Sequence, residues 1–468
     1  MAQVWSDDRL FPPDPTERGL ARELYAVVRG LPIISPHGHV DPRLLARDEP
    51  FGDPAELLVI PDHYVTRMLR SAGVELDRLG LGPAAGEVAH REVWRTLATH
   101  WHWFRGTPSR LWLEHTLHEV FGIHDELGAE NADALYDRIG ELLATPAFRP
   151  RALFERFGIE VLATTEGADD SLEHHRALAA SPWGIEHRVI STFRPDAVVD
   201  LDRPGWRRDV DRLGELTGED TGSYAGYVAA LRSRREYFRR HGTTATDHGH
   251  PTAGTYELSR RQAETLFERA RRGAVDADDA ELFRGHMLME LAGMSVDDGL
   301  VMQLHAGSLR NYDPAVFARF GPDVGADIPM ATDFVHGLRP LLNRFGADPS
   351  FTFIVFTLDE STVARELAPL AGHYPAMRLG PPWWFFDSPD GIRRFREATT
   401  ETAGFRNTVG FNDDTRAFPS IAARHDVARR CDCAYLAALV ARHRLSLEDA
   451  AEVAIDLAYR LPKEAYRL

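Results

Sequence analysis

The chain holds only 2 cysteines in 468 residues. Cys431 and Cys433 stand two positions apart in a segment of helical spacing, where their side chains point to nearly opposite faces. A disulfide framework and a thiolate zinc site are both excluded, so any metal must be held by histidine and carboxylate, the donor set of a catalytic ion. Positive charge is also short: 54 Lys and Arg against 71 Asp and Glu leave a net −17. That balance disfavours general binding to nucleic acid or to an anionic membrane surface, while a small anionic substrate stays compatible if arginines gather locally. No run approaches the ~18 apolar residues of a membrane span. The first twenty residues lack a basic stretch leading into an apolar core, and no internal repeat is visible. With 44% apolar positions, the expectation is a cytoplasmic globular protein with a sizeable core.

Short apolar or β-branched runs alternate with long segments of helical periodicity rich in Ala, Glu, Arg and Leu. Eight candidate strands fall at 32–36, 160–165, 187–192, 243–247, 300–305, 351–357, 377–380 and 407–411. Eight strands with crossover helices are the arithmetic of an α/β chain folded as one (β/α)8 barrel of the TIM type over residues 1–468. The first and second strands lie about 120 residues apart, too far for a loop. A helical insertion is therefore expected at 50–150, with Trp94, Trp101, Trp103 and Trp112 as its core. The charged stretch at 200–220 reads as a solvated helix or loop.

The strand exits carry, in order, His37 and His39, Glu166, Arg194, Asp247 with His248, His305, Asp359, Trp383 with Trp384, and Asp414 with Arg416. In a barrel these exits converge on one face, which turns a scattered list into a pocket.

His37-Gly38-His39 places two imidazoles at i and i+2, on one side if the strand continues through them, and neutral imidazoles bind divalent ions. The same pattern occurs in hydrogen-bonded surface histidines. Asp414, at the eighth exit beside the first, offers a third, oxygen ligand. The plainer alternative is an acidic turn in which Asp413 and Asp414 cap the next helix and pair with Arg416. A metal-bound carboxylate can also act as a base, and an adjacent arginine can stabilise an oxyanion. His63 and Tyr64 open the insertion where it can fold over the first exit, although such a pair is commonly just buried. Arg194 precedes a proline on an exit loop and suits carboxylate recognition or a structural ion pair. His248 and His305 stand as supporting partners or spare ligands, and His250 as a loop hydrogen-bonder. Trp383 and Trp384 suit either a sugar-sized wall or plain packing.

Taken in order, SPHGHVDP, DHYVTRMLR, IEVLATTEGADDSLEHH, STFRPD, TDHGHP, MQLHAGSLRN, GPPWWFFDSPDG and VGFNDDTRAF followed by ARHDVARR resemble the uronate (glucuronate) isomerase family, an outlying branch of the amidohydrolase superfamily. Many members have aspartate two residues before the first histidine, where Ser35 stands in this chain. The resemblance implies a distorted (β/α)8 barrel and interconversion of D-glucuronate with D-fructuronate and of D-galacturonate with D-tagaturonate. It implies a divalent metal, often zinc, on His37, His39 and Asp414. It also implies a substrate site lined by His63, Tyr64, Arg194, Arg416 and the Trp383–Trp384 pair, with self-association as a common property.

An aldose–ketose conversion moves one proton from C2 to C1 and another between the oxygens. The expected roles are Asp414 as the C2 base, Tyr64 as the acid at the aldehyde oxygen and Arg416 at the enediolate, with Arg194 and His63 on the C6 carboxylate. Two alternatives compete: a metal-dependent hydrolase of a sugar lactone or amide, in which the same ligands activate water, and a sugar-acid-binding protein without turnover.

Overall fold

The structure, a computed structural model, describes residues 5–468. Its strands are Ile33–Ser35 (β1), Ile159–Gly167 (β2), Arg188–Arg194 (β3), Ala245–His250 (β4), Val301–Ala306 (β5), Ser308–Leu309 (β6), Ile328–Pro329 (β7), Phe353–Thr357 (β8) and Met377–Leu379 (β9). Seven of them form one curled sheet in the order β1-β2-β3-β4-β5-β8-β9, with every neighbour parallel. β6 and β7 form a separate antiparallel ribbon that the sequence reading did not anticipate. VMQLHA in β5 and FIVFT in β8 are buried at every position, as expected of parallel strands covered on both faces. Phe238, Met287, Leu291, Leu304 and Phe353 belong to the largest apolar cluster, which joins the sheet to the helices Tyr224–Arg240 and Ala277–Asp298.

The expected eighth strand at 407–411 does not form. Thr408 alone makes a bridge, to Leu379, flanked by Leu379 N–H donating to Asn407 O (2.8 Å) and Val409 N–H to Leu379 O (3.0 Å). Gly410 then takes φ 76°, a left-handed turn that ends extended geometry, and a Cβ there would collide with the Leu457 carbonyl. The chain crosses to the first strand as irregular backbone, and His39 N–H donates to Thr415 O at 2.9 Å. The barrel seam is thus closed by loop-to-loop bonding, which is the distortion.

Between β1 and β2 the chain is helical, including Pro54–Leu58, His63–Ser71, His90–Thr99, Pro108–His115 and Ala132–Leu143. Their apolar faces share one cluster with Ile33, Ile159 and Leu162 of β1 and β2. Trp94, Trp101 and Trp112 are buried, and Trp94 Nε1 donates to Ala132 O at 2.9 Å. Trp103 departs from the expected core and is 45% exposed. The charged stretch contains the helix Trp206–Thr217. Cys431 and Cys433 are buried and unpaired in the helix Ser420–Ala441. Among the described residues no helix is long and apolar enough to cross a membrane.

Candidate active site

All the candidate residues, His37, His39, His63, Tyr64, Arg194, Trp383, Trp384, Asp414 and Arg416, line one cavity of about 30 Å³, together with Asp247, His305 and Arg310. Three of the other expected exit residues face elsewhere. Glu166 accepts from Thr164 Oγ1 at 2.5 Å beside His175. Asp359 turns back to accept from Ser361 N–H at 3.0 Å. His248 lies with His250 and Asp196 in a buried group outside this cavity. The side chains of Asp247 and His248 leave opposite faces of β4, so only one of them reaches the pocket.

β1 ends at Ser35, so His37 and His39 sit on the following loop and strand alternation does not align them. Backbone pinning does. Gly38 O accepts from Thr165 Oγ1 at 3.0 Å, and His39 N–H reaches Thr415 O. The Gly38 Cβ position lies 3.6 Å from backbone atoms of Ala163 and Thr415. His37 Nε2 and His39 Nε2 consequently approach Asp414 Oδ1 to 3.5 and 3.1 Å. Asp414 adopts φ 45° and Trp384 φ 52°, left-handed conformations uncommon for side-chain-bearing residues and concentrated at functional sites.

The donor set fits a divalent metal. Among the described residues Asp414 Oδ1 is buried and makes no hydrogen bond, although two imidazole nitrogens face it, and His37 Nδ1 and His305 Nε2 are likewise unpartnered. Burial pushes the His37 imidazolium down in pKa, leaving a neutral ring suited to metal ligation. Burial opposes ionisation of Asp414, but the facing His39 ring, with His37, holds its carboxyl below the usual range. His37, Asp247 and His305 form a second, adjoining group of the same kind.

Arg194 is the last residue of β3 rather than part of the loop after it. Its Nε donates to Asp196 Oδ2 at 2.7 Å and its Nη1 lies 3.2 Å from Asp247 Oδ2. Asp247 Oδ1 in turn meets His305 Nδ1 at 2.6 Å. Burial opposes both charges of the Arg194–Asp247 pair, but Asp196 and then Asp247 hold the Arg194 guanidinium charged, and His305 and then Arg194 hold Asp247 ionised.

Asp62 caps the helix His63–Ser71 by accepting from Tyr64 N–H at 2.9 Å, which fixes His63 and Tyr64, also in the lining, in its first turn. Their rings stack at 4.7 Å, and Trp384 meets His63 edge-on at 5.2 Å. Burial pushes His63 down to about 3, and Arg416 adds to the effect; neither ring nitrogen has a partner among the described residues. Burial raises the Tyr64 phenol well above its ordinary value, so it stays protonated.

Arg416 does not pair with Asp413 or Asp414, as the acidic-turn alternative required. It lies 3.5 Å from Asp323, while Asp413 engages His425 at 3.0 Å. The helix Ser420–Ala441 has no side-chain cap. Arg310 was overlooked in the sequence although it follows the fifth-strand motif directly; its guanidinium lies 4.8 Å over Trp384 and pairs with Asp327 at 3.0 Å. Asp323 carried no local signal, because only the fold brings its loop to Arg416.

The glucuronate isomerase family profile matches residues 16–466. The chain is 62% identical to a uronate isomerase of Rhizorhabdus wittichii and 60% identical to one of Phenylobacterium zucineum, over 98% of this chain in each case and 98% and 96% of those proteins. It superposes on the crystal structure of a glucuronate isomerase from Caulobacter crescentus with TM-score 0.97 at 55% identity, covering 99% of this chain and 97% of that one. A uronate isomerase from Thermotoga maritima gives TM-score 0.92 at 28% identity, over 98% and 99%. The match runs through both sides of the pocket and the seam that closes it: the chain belongs to the glucuronate isomerase family and is an isomerase enzyme.

Proposed function

We propose that the protein interconverts D-glucuronate with D-fructuronate, and D-galacturonate with D-tagaturonate, by proton transfer through a cis-enediol. The observation that carries this reading is one cavity holding an ionised carboxylate (Asp414), a protonated phenol (Tyr64) and an arginine (Arg416). A base, an acid and a cation are what an aldose–ketose shift uses. The relatives' names supply the uronate, and nothing in the cavity favours hydrolysis.

In this mechanism Asp414 removes the proton from C2 as Tyr64 donates its phenolic proton to O1, giving the enediol. Asp414 then returns its proton to C1 while the Tyr64 phenolate takes the proton from O2, so the product has the same mass and both residues are regenerated. Arg416 stabilises the negative charge that develops on the enediolate oxygens. The C6 carboxylate lies against the Arg194 guanidinium and the neutral His63 ring, with Trp383 and Trp384 walling the sugar. His37, His39 and Asp414 would hold a divalent metal, zinc by donor chemistry, which when bound supplies Lewis-acid polarisation of a sugar oxygen. The buried unpaired cysteines suit action in the reducing cytoplasm.

The test is incubation with D-glucuronate in deuterated water, followed at C1 and C2 by NMR. The wild type is expected to form D-fructuronate of unchanged heavy-atom composition. Asp414→Asn keeps an oxygen ligand but removes the base, and should lose both turnover and C2 exchange by about 10²-fold or more. Retention of both would overturn the assignment.

A further inference from the structure

The catalytic cavity has about 30 Å³ of free space. Beside it lies a far larger chamber of about 490 Å³, and His39 and Arg416 line both. That volume falls in the range of small-molecule sites, roughly 300–1,000 Å³. Its wall carries Arg43 and Arg47, four residues apart on the short helix Pro42–Arg47 and therefore on one face. Asp41 caps this helix and pairs with Arg43 at 3.2 Å, whereas Arg47 is exposed and has no salt bridge among the described residues. Phe51 and Phe418, stacked at 6.3 Å, and Leu57 back the chamber and are themselves buried. Glu49 and Glu56 also border it, and Glu56 is folded back against Gly52.

An arginine-bearing wall around a space of this size suits a sugar acid, with a guanidinium for the carboxylate. Hexuronates in water are overwhelmingly cyclic hemiacetals, while proton transfer from C2 requires the open aldehyde. The isomerase therefore meets its substrate mostly in a cyclic form that must open before the proton transfers. We propose that this chamber is a second subsite, in which Arg47 holds the carboxylate of the cyclic hexuronate before the open chain passes between His39 and Arg416 into the catalytic cavity. The inference rests on the uronate reading, and it assigns a ligand to residues that take no part in the proton transfers.

The probe is the methyl glycoside of D-glucuronate, a pyranose that cannot open and so cannot be isomerised. Its binding to the full-length wild-type protein is measured by calorimetry and ligand-observed NMR, alongside the kinetics on D-glucuronate. Arg47→Gln is expected to weaken glycoside binding by about fivefold, the scale of one exposed ion pair. It should raise KM for D-glucuronate by a similar factor with kcat within about twofold, the signature of lost binding rather than lost chemistry. Tyr64→Phe, inside the catalytic cavity, should leave glycoside affinity unchanged while lowering kcat.

Three results would overturn the proposal: no glycoside binding to the wild type, unchanged binding in both Arg47→Gln and Arg43→Gln, or binding lost in Arg194→Gln but not in Arg47→Gln, which would place the glycoside in the catalytic cavity. Arg43 and Arg47 are exposed, so both variants are expected to fold, and unchanged melting temperatures establish that. If instead the wild type binds the glycoside but isomerises no uronate, the catalytic reading fails and the subsite stands.

Discussion

The Trp383 indole donates to Asp414 Oδ2 at 3.1 Å, leaving Oδ1 of the same carboxylate to the two histidine nitrogens. One carboxylate is therefore oriented from both sides, by a tryptophan after β9 and by the loop after β1. Trp383→Phe keeps the ring and deletes the donor. Misplacing a catalytic group can cost on the order of 10²-fold, so kcat should fall about 10- to 100-fold, beyond what the modest loss of stability from one hydrogen bond explains. Steady-state kinetics with a parallel thermal melt distinguish this from general unfolding.

Asp247 joins Arg194 to His305 across the pocket floor. Asp247→Asn removes a buried carboxylate charge facing the half-buried Arg194 guanidinium and the His305 ring. Losing one partner of a fully buried pair costs about 3–5 kcal/mol, an upper bound here because Asp196 also pairs with Arg194. The variant should show a lower denaturation midpoint in urea together with reduced kcat/KM. A stability equal to wild type would mean that Asp196 alone suffices for Arg194.

The protein as purified should carry one divalent ion per chain by elemental analysis. His39→Ala is expected to lose most of it, because a third of the proposed ligand set disappears. Full turnover by rigorously metal-free protein would assign His37 and His39 to positioning alone.

Burial pushes Glu166 up to about 8, so its carboxyl is neutral in the folded protein where an unfolded one, near 4.5, ionises. The sign follows: its contribution to stability is fully present below about pH 4.5 and is lost as pH rises toward 8. Glu166→Gln is neutral at every pH. The wild-type minus variant difference in unfolding free energy should therefore decline between pH 5 and 8, on the order of 1 to 3 kcal/mol. Paired urea titrations at the two pH values test it, and a flat difference would show that Glu166 ionises freely in the fold.

The largest chemical features were legible locally. H-x-H, D-x-R, the His63–Tyr64 pair and the two tryptophans are contiguous motifs, and each sits near a strand exit, so the alternation of apolar runs and helical segments was enough to nominate them. Arg310 was equally local and could have been taken from the residues just past His305. The seam was different. A β-branched run at 407–411 has the composition of a strand, yet the positive φ of Gly410 and the approach of Leu457 from a distant helix turn it into a crossing loop.

Composition and spacing by themselves determined that this chain has no cysteine-based metal site, that it alternates strands with helices and that its ionisable residues cluster at strand ends. Those properties follow from residue type and period, which need no partner. Only tertiary structure decided that Asp247 faces the pocket while His248 turns away, that Arg416 answers Asp323 rather than its neighbours, and that Asp414 Oδ1 lies unpartnered between two histidines. Each of these depends on which backbone arrives opposite the side chain, and that is set by packing between segments hundreds of residues apart.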